Sequence, residues 1–241
     1  MQAWSITDIG KKRKENQDST FIKLDYERKL ALLVVCDGMG GVNGGSEASR
    51  LAVEAFSDAV WKGTEDASFD TATLLSKAAE TANSEVYTRA ITDPSYMGMG
   101  TTLTAALVRE NEATVINIGD SRTYHLSGDA IRQVTDDHSI AGDLFRSGRI
   151  TREEYDHFPD KNIITRAVGT DSAVQSDVFK VALREGDALL LCSDGLTNMV
   201  PDKEILKMAS GSDPEKACKT LVKRANKAGG KDNISVVLFR L

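Results

Sequence analysis

Long apolar runs are what this sequence most plainly lacks: nothing in its 241 residues approaches the roughly 18 consecutive apolar residues of a membrane span. The stretch MQAWSITDIGKKRKENQD at its start has no apolar core of signal-peptide length either, so a soluble, cytoplasmic protein without a membrane partner is expected. A basic excess is also missing. Thirty Lys plus Arg stand against 36 Asp plus Glu, a net charge of −6, and the charges are scattered, which argues against nucleic acid as a partner. Prolines number only 4, and no Pro/Ser/Gly-rich linker, repeat or low-complexity tract divides the chain, so residues 1–241 are expected to form one domain. Cysteine is confined to Cys36, Cys192 and Cys218, an odd count without metal-type spacing, each in an apolar run. Reduced, buried thiols are the simple expectation; the alternative is a redox role for Cys36 and Cys192, which lie within two residues of an aspartate.

What the chain does have is core material, 41% hydrophobic residues, arranged in two periods. Strand-like runs occupy 29–36, 103–108, 113–119, 122–127, 130–134, 188–193 and 234–241, and Gly128-Asp129 reads as a tight hairpin. Three helices are legible. One begins near Ser46, with Ala48, Leu51, Ala52, Ala55, Phe56 and Ala59 on one face, and a second covers about 71–90. The third has Asp213 as N-cap, Pro214 at its first position and Gly229 as its stop. Helices and strands come in blocks, so antiparallel sheets layered with helices fit better than a regular alternation of strand and helix. Residues 139–169 are polar, irregular and long, either a functional flap or a plain surface excursion.

Four aspartates recur in one setting, an apolar strand joined to a small or polar turn: Asp37 (VVCDGMGG), Asp120 (INIGDSR), Asp194 (LLLCSDGL) and, before the last strand, Asp232 (GGKDNISVV). Alone, each could be a turn or cap residue. If the strands lie side by side, four like charges meet, each pair costing on the order of 1–4 kcal/mol, and such a cluster calls for cations. All-oxygen ligands without Cys/His spacing suit Mg²⁺ or Mn²⁺. A pair of such ions sharing a carboxylate generates hydroxide near neutral pH and suits hydrolysis of a phosphate ester. Arg13, five residues before Asp18, carries the guanidinium best shaped to hold a phosphate by paired hydrogen bonds.

Together the blocks TDIGKKRKENQDS, VVCDGMGG, GMGTTLTAALV, INIGDSRTYHL, QVTDDHS, IITRAVGT, LLLCSDGLTNMV and GGKDNISVVL resemble, in order and over essentially the whole chain, the PPM (type 2C) metal-dependent protein serine/threonine phosphatases in their compact bacterial form. The resemblance implies an α+β fold, an α-β-β-α sandwich of two central antiparallel sheets flanked by helix pairs. It implies two or three Mn²⁺ or Mg²⁺ ions, with Asp37 bridging two of them, the Gly38 carbonyl on the second, Asp194 and Asp232 completing the first, and Asp120 holding a third with Asp194 shared. Arg13 is then the phosphate ligand, Asp18 and Asn233 orient waters on the metals, the Thr101-Thr102 pair packs beside the site, and 139–169 is the flap. Gly40 and Gly41 permit the turn into the first helix. The implied reaction is hydrolysis of phosphoserine and phosphothreonine in proteins by hydroxide shared between two ions, by a monomer whose partners include a cognate Ser/Thr kinase.

Three positions depart from the pattern. Gln17 stands where animal members carry a glutamate serving the second metal, Met39 where they carry a histidine proposed as general acid, and Val42 where bacterial members often have a histidine. The histidines present, His125, His138 and His157, read as structural. Two other functions compete: a catalytically silent phosphatase-like scaffold, which typically loses metal aspartates that are all present here, and a metal-dependent phosphatase for small metabolites.

Overall fold

The computed structural model describes the chain except residues 41–43, 67 and 160, so Gly41 and Val42 lie outside the described residues. In chain order the strands and helices are β1 (Gln2–Asp8), β2 (Asp18–Asp25), β3 (Leu30–Met39), α1 (Gly44–Gly63), α2 (Thr71–Thr92), β4 (Gly100–Thr101), β5 (Leu103–Arg109), β6 (Glu112–Ile118), β7 (Arg122–Ser127), β8 (Ala130–Gln133), α3 (Ile140–Arg146), α4 (Arg152–Asp156), β9 (Asp177–Ala182), β10 (Ala188–Cys192), α5 (Asp194–Thr197), α6 (Asp202–Ala209), α7 (Pro214–Lys227) and β11 (Ile234–Arg240). They build two antiparallel sheets, ordered β1-β11-β10-β7-β8 and β2-β3-β5-β6-β9, with β4 added to the end of β3.

Alternation along the central strands explains why their sequences look uniformly apolar. Leu32, Val34 and Cys36 of β3 point towards α1 and α2, meeting Ala52, Phe56 and Leu75. Ala31, Leu33 and Val35 point the other way, into a layer shared with Leu189, Leu191, Val237 and Phe239 of the opposite sheet. On that sheet's outer face Leu190, Val236 and Leu238 pack against Ile205 of α6 and Leu221 of α7. Helix, sheet, sheet, helix therefore enclose three apolar layers, and both faces of each central strand are buried. The result is the α+β sandwich of two antiparallel sheets with flanking helices that the sequence led us to expect.

Several local expectations hold. Asp213 caps α7, its Oδ1 accepting from the Lys216 N–H at 3.2 Å, and Gly229 just past the helix has φ +140°. Ser127 and Ala130 pair across the two-residue hairpin at Gly128-Asp129. All three cysteines are free and buried, and burial pushes their thiols up, to about 12 for Cys218, so none is a ready nucleophile. Other details differ. Strand β3 does not stop at Asp37 but continues to Met39, because Gly38 and Met39 pair with Thr101 and Gly100. Asp194 does not end a strand; it opens the short helix α5. The segment 139–169 is not irregular throughout, since Ser139 and Thr151 cap α3 and α4, the latter through a capping box with Glu154. No described helix is long and apolar enough to cross a membrane.

Candidate active site

At one end of the two sheets a cleft of about 570 Å³ is lined by Arg13, Gln17, Asp37, Gly38, Met39, Gly40, Thr102, Asp120, Asn162, Ile164, Asp194, Asp232 and Asn233. The expected phosphate ligand Arg13, the expected metal ligands and Asn233 are all in this lining, and Asp18 is not. It lies behind the wall, directly across from Asp37 in the register of β2 and β3.

Each carboxylate is aimed by the backbone that carries it. The Asp37 N–H donates to Thr102 Oγ1 at 2.9 Å, and its carbonyl accepts from the Thr101 hydroxyl and the Thr102 N–H, both at 2.9 Å. The threonine pair thus pins Asp37 from the neighbouring strands. A Cβ on Gly38 would meet the Gly45 carbonyl oxygen at 1.9 Å and the Gln17 carbonyl oxygen at 2.6 Å, so glycine is what lets the start of α1 and the loop before β2 close on this end of β3. Gly40, with φ +121°, turns the chain away from the strand. Asp120 sits in the turn between β6 and β7. Asp194 is held by Asn198 Nδ2, which donates to its Oδ2 at 2.9 Å from one helical turn on.

A hydroxyl chain ties the two sheets together behind the cleft. The Ser235 N–H donates to Ser193 Oγ at 3.0 Å, and Ser193 Oγ donates to Asp18 Oδ2 at 2.8 Å. Asn233 spends its amide on the loop that carries Arg13: its Nδ2 donates to the carbonyls of Ile9 and Glu15, and its Oδ1 accepts from the Gln17 N–H at 2.9 Å. That guanidinium, half exposed, donates from Nη2 to Asp232 Oδ2 at 2.7 Å. From sequence one expects Asn233 to face water on the metals; in the structure its hydrogen bonds go to the backbone of residues 9–17.

The model of the protein phosphatase 2C family matches residues 10–238. This chain belongs to that family. It is therefore an enzyme of the protein phosphatase class. Serine/threonine phosphatase stp of Listeria innocua is 41% identical over 99% of this chain and 95% of its own length. The crystal structure of the Mycobacterium tuberculosis serine/threonine phosphatase PstP/Ppp matches 100% of this chain and 98% of its own, at 33% identity and a TM-score of 0.90. The catalytic domain of the serine/threonine protein phosphatase PstP, solved in complex with two manganese ions, matches 98% of this chain and 96% of its own, at 33% identity and a TM-score of 0.86.

Within this type 2C cleft the electrostatics are dominated by crowded carboxylates. Burial first, and then the charges of Asp18, Asp194, Asp120 and Asp232, hold Asp37 well above the ordinary carboxylate range. Asp120 is raised by burial and by Asp194. Asp194 is pushed up to about 7 by burial and by Asp232 and Asp18. Burial lifts Asp18 to about 6, against the hydrogen bonds from Ser235 and Ser193.

The donor set fits hard divalent cations. Among the described residues no Cys or His lines the cleft, and Asp18 Oδ1 and Asp194 Oδ1 are buried without a hydrogen-bond donor, which is costly unless a cation or solvent answers them. Among the described residues no three His, Cys, Asp or Glu side chains gather tightly enough to close a metal site by themselves. Mg²⁺ and Mn²⁺, which keep several waters and need only one or two carboxylates each, suit such a partial cage better than Zn²⁺ or Ca²⁺.

Sequence reasoning did not find the contribution of Asn162 and Ile164 to the cleft wall, which comes from the polar segment after α4 and carries no motif of its own. It also passed over Ser193 and Asn198. The second was findable, because a polar residue four positions after an aspartate at a helix start shares its face.

Proposed function

We propose that this chain hydrolyses phosphoserine and phosphothreonine esters in proteins, using two or three Mn²⁺ or Mg²⁺ ions held by Asp37, the Gly38 carbonyl, Asp120, Asp194 and Asp232. The supporting observation is the convergence of four aspartates, each on a different segment, with one arginine in a single cleft. Bound there, the cations would lower the pKa of a coordinated water and neutralise charge on the phosphoryl oxygens. Asp37, pinned on both backbone sides, gives a fixed carboxylate between the other aspartates. Arg13, beside Asp232 in the cleft wall, would meet the phosphate monoester dianion with its N–H donors. Asp18 holds its position behind Asp37 through Ser193, and Asn233 fixes the loop on which Arg13 rides. Met39 in the cleft wall cannot donate a proton and none of His125, His138 and His157 is in the lining, so none of them is assigned as leaving-group acid. An enzyme of this kind works against a serine/threonine kinase that supplies its phosphoprotein substrates.

The direct test is release of phosphate from a phosphothreonine peptide. We expect turnover in Mn²⁺, its loss on EDTA and its recovery with Mn²⁺; turnover indifferent to chelation would overturn the metal reading. The same cations should raise Tm, and more at pH 8 than at pH 6. Asp194, pushed up to about 7, and Asp18, lifted to about 6, are ionised and mutually repelling at pH 8, whereas at pH 6 protons compete for the same oxygens.

Arg13→Ala should raise KM for p-nitrophenyl phosphate by roughly 10-fold with a smaller change in kcat, the loss expected for a charge-assisted pair. Steady-state kinetics in saturating Mn²⁺ measures this, and an unchanged KM would remove Arg13 from phosphate binding.

A further inference from the structure

His138 follows β8 and immediately precedes the 139–169 segment, and it is fully buried. Its imidazole and backbone touch three different parts of the protein. On one side the Gly119 N–H donates to Nδ1 at 3.1 Å, while the His138 N–H donates back to the Gly119 carbonyl at 3.0 Å. Gly119 is the residue before Asp120, so this reciprocal pair grips the turn that carries the carboxylate. On the other side Nε2 faces Asp177 Oδ2 at 3.1 Å, and Arg166 Nη1 donates to Asp177 Oδ1 at 2.8 Å. The carbonyl of His138 accepts from the Thr165 N–H at 2.8 Å, and Ser139 and Ile164 form a β-bridge beside it, closing the base of the segment.

These contacts fix the tautomer. A backbone N–H can only donate, so Nδ1 must be the acceptor and Nε2 carries the proton given to Asp177. Arg166 Nη1, 3.3 Å from Nε2, then faces a second donor, and its hydrogen bond is the one to Asp177. One neutral ring thereby links the Gly119-Asp120 turn to Asp177 of β9, which Arg166 of the segment also grips.

We infer that His138 is a positioning residue for Asp120: the Nδ1 acceptor, and not the mere bulk of the ring, sets the aim of that carboxylate, and the same ring locks this aim to the base of the 139–169 segment. The inference rests on the proposed role of Asp120 as a metal ligand. Partners behind metal ligands are typically worth 10–100-fold in metal affinity or activity.

Two substitutions separate the two sides of the ring. Asparagine places an oxygen near the position of Nδ1 and keeps the acceptor for Gly119 but cannot reach Asp177. Glutamine places an NH₂ near Nε2 and keeps Asp177 but leaves the Gly119 N–H unmet. Mn²⁺ binding to the full chain is measured by calorimetry for wild type, Asp120→Asn, His138→Gln and His138→Asn, alongside the Mn²⁺ concentration giving half-maximal turnover. Asp120→Asn should weaken one class of sites, His138→Gln should weaken that class by roughly 10-fold, and His138→Asn should stay within about 3-fold of wild type. Weakened binding in Asp120→Asn with wild-type binding in His138→Gln would overturn the inference alone. Equal losses in both His138 variants would also overturn it, reducing the ring to packing. Wild-type binding in Asp120→Asn would overturn the reading of Asp120 itself, and the inference with it.

Discussion

Replacing Asp37 by asparagine is expected to lower turnover by about three orders of magnitude or more while raising the Tm of the protein in EDTA. The two effects have one cause. Asp37 stands among Asp18, Asp194, Asp120 and Asp232, whose charges together with burial hold its pKa well above the ordinary range. Neutralising it relieves like-charge repulsion on the order of 1–3 kcal/mol, read in a chain of this size as a rise of roughly 2–10 °C. The same substitution removes the carboxylate proposed to serve two cations. Asp194→Asn should behave alike. Turnover with p-nitrophenyl phosphate in Mn²⁺ and thermal melts in EDTA decide the matter together, because a variant that is inactive through misfolding would melt lower. Near-normal turnover in both variants would remove the carboxylate cluster from the reaction.

The second large effect lies away from the cleft. Arg122 forms a forked pair with Asp137, Nε to Oδ1 at 2.9 Å and Nη2 to Oδ2 at 2.7 Å, and both side chains are nearly buried. Tyr155 of α4 adds its hydroxyl to Asp137 Oδ2 and receives Arg122 Nη2 at 2.8 Å, so the segment 139–169 is anchored on this pair. Asp137→Ala leaves a buried guanidinium without its counter-charge and should cost about 3–5 kcal/mol, a fall in Tm of roughly 10 °C. Arg122→Met combined with Asp137→Leu should recover much of the loss, because no charge is then stranded. The pH dependence has a definite sign. Burial alone would raise Asp137, but the charge and hydrogen bonds of Arg122, with those of Tyr155 and Gln133, hold it below the usual carboxylate value. Its contribution is therefore present above the unfolded-state pKa near 4 and lost as pH falls through the lower folded value. The gap in Tm between wild type and Asp137→Ala should be widest above about pH 5 and close towards pH 3; a gap constant with pH would mean that packing, not charge, is what was lost.

What could be read in the sequence followed burial. Asp37, Asp120, Asp194 and Asp232 were legible because each adjoins a strand buried on both faces, whose apolar run is unmistakable. Strands β1, β2 and β9 were not, because they are edge or near-edge strands of mixed polarity. Trp4 of β1, for example, is 41% exposed, and Lys23 and Lys180 interrupt β2 and β9. Without β2, the register that sets Asp18 opposite Asp37 could not be seen. The helices α3 and α4 are too short and polar for periodicity to mark them, although Thr151 and Glu154 hold the spacing of a capping box. Asn162 and Ile164 enter the cleft through the fold of that segment alone. The hold of Asn233 on the N-terminal loop was not legible for a related reason, since only the folded loop shows the three backbone groups its amide meets.

Strand β11 lies between β1 and β10, pairing with both along its length. On the ribosome, Asp232, Asn233 and β11 emerge after every other part of the cleft. Until they do, Asp232 is missing, the loop bearing Arg13 has no Asn233 to hold it, and β1 lacks the strand it pairs with. In the proposed site, a chain still lacking β11 has neither the full set of carboxylates nor a held Arg13 loop, and both arrive together when this strand slides between its two partners.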